Sequence, residues 1–140
     1  MAIDGVIWLP AQDYNRLRTL VSRISRGPHA TEAGIDTLEE ILDLARVVNL
    51  EKVPGNVVTM NSRVLYEDLQ TRKSGTATIV YPADAEPTAG KISVLSPVGA
   101  ALLGESEGSE IELPLPHDQK RRIRIDRVLY QPEAQGDYAL

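Results

Sequence analysis

The chain has no cysteine among its 140 residues, which excludes disulfides, thiolate metal ligands and thiol nucleophiles together. It has no phenylalanine and a single tryptophan, Trp8, so aliphatic side chains must build most of the core. Only two histidines occur, His29 and His117, each in a loop between patterned segments. His29 has one other ligand type at helical spacing, Glu32, and His117 has none, too few for a zinc site, so none is expected. No run of about eighteen apolar residues exists to span a bilayer, and the first residues lack a basic segment followed by an apolar one. A cytoplasmic protein without a membrane partner is the expectation. Basic charge is also short: Lys+Arg 15 against Asp+Glu 20 gives a net charge of −5 and a pI near 5.0. A nucleic-acid binder held by phosphate contacts needs a basic face, so direct sequence-specific DNA binding is not expected. Neither a Gly-x4-Gly-Lys-Ser/Thr loop nor a Gly-x-Ser-x-Gly elbow is present. No cofactor, no metal and no enzymatic activity of its own is expected.

What is present reads as one domain, or a small domain with an appendage. Val6-Ile7-Trp8-Leu9 is a short apolar run closed by Pro10, either a strand or an extended arm. From Pro10 to Arg26, Tyr14, Leu17, Leu20, Val21 and Ile24 recur at three- and four-residue spacing, one stripe of an amphipathic helix that Gly27-Pro28 stops. A second helix is expected from Asp36 to about Asn49, with Leu38, Ile41, Leu42, Ala45 and Val48 on one side. Asp36 and Glu39 have the spacing of a capping box. Arg16, Arg18, Arg23 and Arg26 stand against Asp13 on the first helix, and Asp36, Glu39, Glu40 and Asp43 against Arg46 on the second. Opposite-sign arms favour an antiparallel pair, although each exposed ion pair contributes only about 0–1 kcal/mol.

After a linker at Glu51 to Gly55 the periodicity changes to that of strands. Val57 to Met60, Arg63 to Tyr66, Thr76 to Tyr81, Glu110 to Leu115 and Lys120 to Tyr130 are expected to be extended. Ile123 and Ile125 share a parity that Val128 and Tyr130 lack, which predicts a bulge near Asp126-Arg127. The stretch Gly90 to Gly104, GKISVLSPVGAALLG, combines a strand, a Ser96 cap, Pro97 at the first helical position, a short apolar helix and a glycine stop. The fold class is therefore α+β: an N-terminal antiparallel helical hairpin, a short coiled coil, over 1–52, then a mostly antiparallel sheet with one short helix over 53–140.

GKISVLSPVGAALLG resembles the strand–Ser–Pro–helix segment of the C-terminal domain of the Gre transcript-cleavage factors of bacterial RNA polymerase. VVTMNSRV at Val57 to Val64 and YQPEAQGDYAL at Tyr130 to Leu140 resemble a shorter branch of that family, the regulators of nucleoside diphosphate kinase. The resemblance implies an FKBP-like C-terminal domain, and docking of Leu95, Ser96 and Pro97 on the rim of the polymerase secondary channel. Gre factors commonly have Asp where this chain has Leu95, which implies an exposed apolar contact beside the proline. At the hairpin tip stand Pro28, His29, Glu32 and Asp36. In Gre factors acidic tip residues help the polymerase hydrolyse backtracked RNA, and Glu32 and Asp36, at i and i+4, could hold magnesium jointly with a partner. The alternative reading makes Asp36 a cap and Glu32 a favourable charge at a helix start.

The first helix spans 17 residues, about 25 Å at about 1.5 Å per residue, shorter than the Gre arms. The resemblance thus implies a monomer that docks on RNA polymerase and competes with Gre-type factors without cleaving RNA. Two alternatives stand beside it: a factor that stimulates cleavage through the acidic tip, and an interaction module for nucleoside diphosphate kinase. A prolyl isomerase is disfavoured because its pocket needs aromatic walls.

Overall fold

The computed structural model describes residues 6–24, 34–114 and 120–137. Strand β1 (Trp8–Pro10) runs directly into helix α1 (Ala11–Ile24), and α2 (Gly34–Leu44) is followed by β2 (Arg46–Val48). β1 and β2 pair in parallel, Leu9 opposite Val47, and the Arg46 N–H donates to the Ile7 carbonyl at 2.7 Å. The second helix is therefore shorter than its periodicity predicts. Arg46-Val47-Val48 ends it because β-branched neighbours fit a pleated edge, and the chain before α1 offers that edge. α2 also starts earlier than expected. Asp36 lies in its first turn rather than at its cap.

The remaining strands are β3 (Arg63–Asp68), β4 (Ser74–Val80), β5 (Lys91–Ser93), β6 (Glu110–Pro114) and β7 (Lys120–Tyr130), with α3 (Pro97–Leu102) between β5 and β6. They form one sheet in the order β5-β4-β3-β7-β6. Three of its pairings are antiparallel, and β4–β5 is parallel. The predicted bulge is present: the β3–β7 register skips Asp126 and, again, Leu129. That resolves the parity clash along β7. Val57 to Met60 is not a strand. It has one bridge, Val57 to Ser106, and then turns, the Ser62 N–H donating to the Thr59 carbonyl at 3.1 Å.

A single hydrophobic cluster joins Leu17, Val21 and Ile24 of α1 and Ile35, Leu38 and Leu42 of α2 to the sheet residues Val64, Ile79, Ile111, Ile123 and Ile125. The α1 stripe at i, i+4 and i+7 is thus buried against the rest of the molecule as well as against α2. Across the solvent side of the pair, Arg18 bridges to Asp43 at 2.7 Å and receives Tyr14 under its guanidinium, 5.2 Å from the ring centroid. The predicted charge complementarity has this physical form. Pro28, His29, Glu32 and His117 lie outside the described residues.

Candidate functional site

The Ser93 to Ser96 segment is a tight turn built by its own hydroxyls. Ser96 Oγ donates to the Ser93 carbonyl at 2.7 Å and accepts the Gly99 N–H at 3.1 Å, capping α3. Ser93 Oγ accepts the Leu95 N–H at 3.0 Å. The cap that the sequence predicts is formed, and Gly104 just beyond α3 takes φ +80°. Pro97 is exposed beside the turn.

Leu95 departs from expectation. It is 3% exposed and belongs to the core, so it is not an apolar surface contact. The start of α2 covers it: a Cβ on Gly34 would collide with the Leu95 carbonyl oxygen and reach the Ser96 carbonyl oxygen at 2.9 Å. Only glycine lets a helix backbone approach another backbone this closely. Of the three residues Leu95, Ser96 and Pro97, Pro97 alone faces solvent freely, and Ser96 is half-buried with its hydroxyl committed to the cap. Asp36 is exposed on the first turn of α2, near the positive helix end that favours a carboxylate. Among the described residues no group of three His, Cys, Asp or Glu side chains could hold a metal ion, and no helix is long and apolar enough to cross a membrane.

A second constellation lies on the turn from Thr59 to Ser62. The Met60 N–H donates to Asp13 Oδ2 of α1 at 3.0 Å, and Thr59 Oγ1 donates to Glu133 Oε1 at 2.6 Å. Thr59 has one hydroxyl proton, so in its 2.9 Å contact with Ser62 Oγ the serine is the donor. Ser62 Oγ also accepts the Thr59 N–H at 2.9 Å. Gln131 Nε2 donates to the carbonyls of Pro54 at 2.7 Å and Val57 at 2.9 Å. The runs VVTMNSRV and YQPEAQG are therefore parts of one assembly.

Asp13 is 2% exposed. Burial pushes its carboxyl up from the ordinary 3.8 to about 7; the Met60 N–H opposes this, the Glu133 charge adds to it, and Arg16 opposes it. Burial, and then the Asp13 charge, also raises the Tyr81 phenol, while Arg16 opposes that shift. Sequence reading placed Asp13 among surface charges. The missed signal is its spacing: Asp13 stands one turn before Leu17, on the apolar stripe of α1. A shallow groove of about 570 Å³ runs outside this cluster between α1 and Tyr81, lined by Thr19, Leu20 and Arg23. A cleft of about 370 Å³ lies at the start of α3 among Tyr66, Val98, Leu113 and Ile123, with the Asp68–Arg121 ion pair on its rim. Tyr66 is the one aromatic residue among its described lining residues.

This α+β fold is similar to that of a solved GreA/GreB transcription elongation factor, and the chain belongs to the GreA/GreB family. The family model for the C-terminal part of transcription elongation factor GreA/GreB matches residues 53–130. Within that family the chain is a short relative. It is 42% identical over 105 residues to the regulator of nucleoside diphosphate kinase of Escherichia coli (strain K12), covering 75% of this chain and 77% of the relative. It is 40% identical over 85 residues to transcription elongation factor GreA of Desulfovibrio desulfuricans, covering 61% of this chain and 52% of that one. The solved structure of a GreA/GreB elongation factor from Nitrosomonas europaea superposes with a TM-score of 0.72 at 38% identity, over 91% of this chain and 100% of that chain.

Proposed function

We propose that this chain is a non-enzymatic regulator that binds RNA polymerase at the rim of the secondary channel and competes there with Gre-type factors without cleaving RNA. The observation that carries the reading is the Ser96–Pro97 turn. It is held by three internal hydrogen bonds, presents Pro97 to solvent, and lies within the span that matches the family. A rigid turn loses little conformational freedom on binding, which favours it as a docking element. Leu95 is buried in the core behind the turn and is not offered to the polymerase. In this reading α1 and α2 form an antiparallel hairpin over 1–52, and 53–140 is an FKBP-like unit, a division supported by the start of the family match at residue 53. The protein acts as a monomer in the cytoplasm.

Pro97→Ala should weaken binding to core RNA polymerase about fivefold or more, roughly 1 kcal/mol at an interface contact, with the melting temperature unchanged. Equal binding by the variant sinks the assignment of this turn.

A second reading, stimulation of transcript cleavage, has the exposed Asp36 in its favour. The name of the Escherichia coli relative points instead to nucleoside diphosphate kinase. A direct pull-down with that kinase tests this reading, and the polymerase reading predicts a negative result.

A further inference from the structure

The turn from Thr59 to Ser62 is fixed to the sheet. The Asn61 N–H donates to the Ile79 carbonyl at 2.6 Å, and the Ile79 N–H to the Ser62 carbonyl at 3.1 Å. From this fixed point one hydrogen bond reaches α1 at Asp13, 47 residues away, and another reaches Glu133, 74 residues away. Apolar packing of the helix pair is non-directional and tolerates sliding. Besides the Asp13 bond, the pair is held by the β1–β2 ribbon, whose Trp8 N–H donates to the Gly104 carbonyl at 3.1 Å, and by the close approach of Gly34 to the Leu95 carbonyl. Directional hydrogen bonds are what set an angle. Glu133 sits on the turn that follows β7, and Gln131 ties the start of that turn to Pro54 and Val57, on the approach to Thr59. The tail thus braces the N-terminal side of the segment that receives Asp13, and β4 holds its other side through Ile79.

We propose that Glu133 is a positioning residue: by holding the Thr59 hydroxyl, it fixes the angle at which α1 and α2 stand on the sheet. The C-terminal turn 131–137 is then a strap, and the orientation of the helix pair relative to Pro97 depends on it. The consequence for partner binding rests on the polymerase reading above; the geometric claim does not.

The absence of cysteine makes the test direct. Glu40→Cys on the exposed side of α2 and Thr76→Cys on the exposed side of β4 give two unique sites for spin labels. Their distance distribution, measured by double electron–electron resonance, should be single and narrow in the otherwise unchanged chain. Glu133→Ala should broaden it or displace it by about 2 Å or more, the size of helix shifts in switching proteins, without loss of the cooperative melt. Glu133→Gln, which keeps the oxygen that Thr59 donates to, should restore most of the original distribution. Thr59→Val removes the hydroxyl at nearly constant volume and should reproduce the Glu133→Ala result. An unchanged distribution in both Glu133→Ala and Thr59→Val overturns the proposal, and so does loss of the folded state in both, which would make the contact merely structural. Polymerase binding measured on the same variants separates the two claims: altered geometry with unaltered binding keeps the strap and removes its functional consequence, while no binding by the unchanged chain removes the polymerase reading alone.

Discussion

Asp13 is a carboxyl placed on an apolar stripe, and its protonation makes folding depend on pH in a definite direction. Its folded-state pKa, about 7, lies above the ordinary 3.8, so between these values the folded protein binds more protons than the unfolded chain. Stability from this group is complete below about pH 4, declines as pH rises, and is flat above about pH 7. The full cost of ionising it is on the order of 4 kcal/mol, at 1.36 kcal/mol for each tenfold change. Asp13→Asn keeps an oxygen for the Met60 N–H and removes the charge. Urea titrations at pH 5 and pH 8 should show the unaltered protein losing stability at the higher pH by an amount that the variant does not lose. Parallel behaviour of the two proteins would contradict this account. The position of Asp13 was legible as spacing, one turn before Leu17. Its partner was not, because Met60 and Glu133 are brought to it only by the tertiary fold.

At the scale of elements, the contact between α2 and the turn before α3 decides how the helix pair sits. Gly34 is the point of closest approach, where any side chain must displace the Leu95 and Ser96 carbonyls. Gly34→Ala should destabilise the protein by about 1–3 kcal/mol, the usual cost of overpacking a site that cannot move freely. Thermal melts with near-ultraviolet circular dichroism of Trp8 and the tyrosines would detect it; an unchanged melt would mean that the helix pair does not pack as described. The sequence showed α1, α3 with its Ser96 cap, β7 and the bulge at Asp126, because each is written in local periodicity or local hydrogen bonding. It misread the end of α2 and the burial of Leu95. Arg46-Val47-Val48 continues a helical pattern in the sequence, and only the nearby β1 edge turns it into a strand. Leu95 continues the strand reading outward, and only the arrival of α2 covers it.

For the molecule as a whole, the helix pair and the sheet share one core and are further joined by the β1–β2 ribbon and by the Asp13–Met60 hydrogen bond. A short helix pair held at a set angle, with Pro97 exposed nearby in sequence to the residues it covers, suits a protein that occupies a site on a larger partner. His29 and His117 lie outside the described residues, and the buried carboxyl of Asp13 accepts the Met60 N–H. The family and the α+β class were readable from GKISVLSPVGAALLG and the tail. The tail's place was not, since YQPEAQG has no periodicity of its own and takes its meaning from Thr59 and Pro54. The most direct measurement of the central claim is competition on stalled elongation complexes: core RNA polymerase, a labelled Gre factor and increasing amounts of this protein, with RNA length read in the same tube. The account predicts that the labelled factor is displaced while the RNA 3′ end keeps its length. A labelled factor that stays bound would contradict docking at this site, and shortening of the RNA by this protein alone would contradict the absence of cleavage.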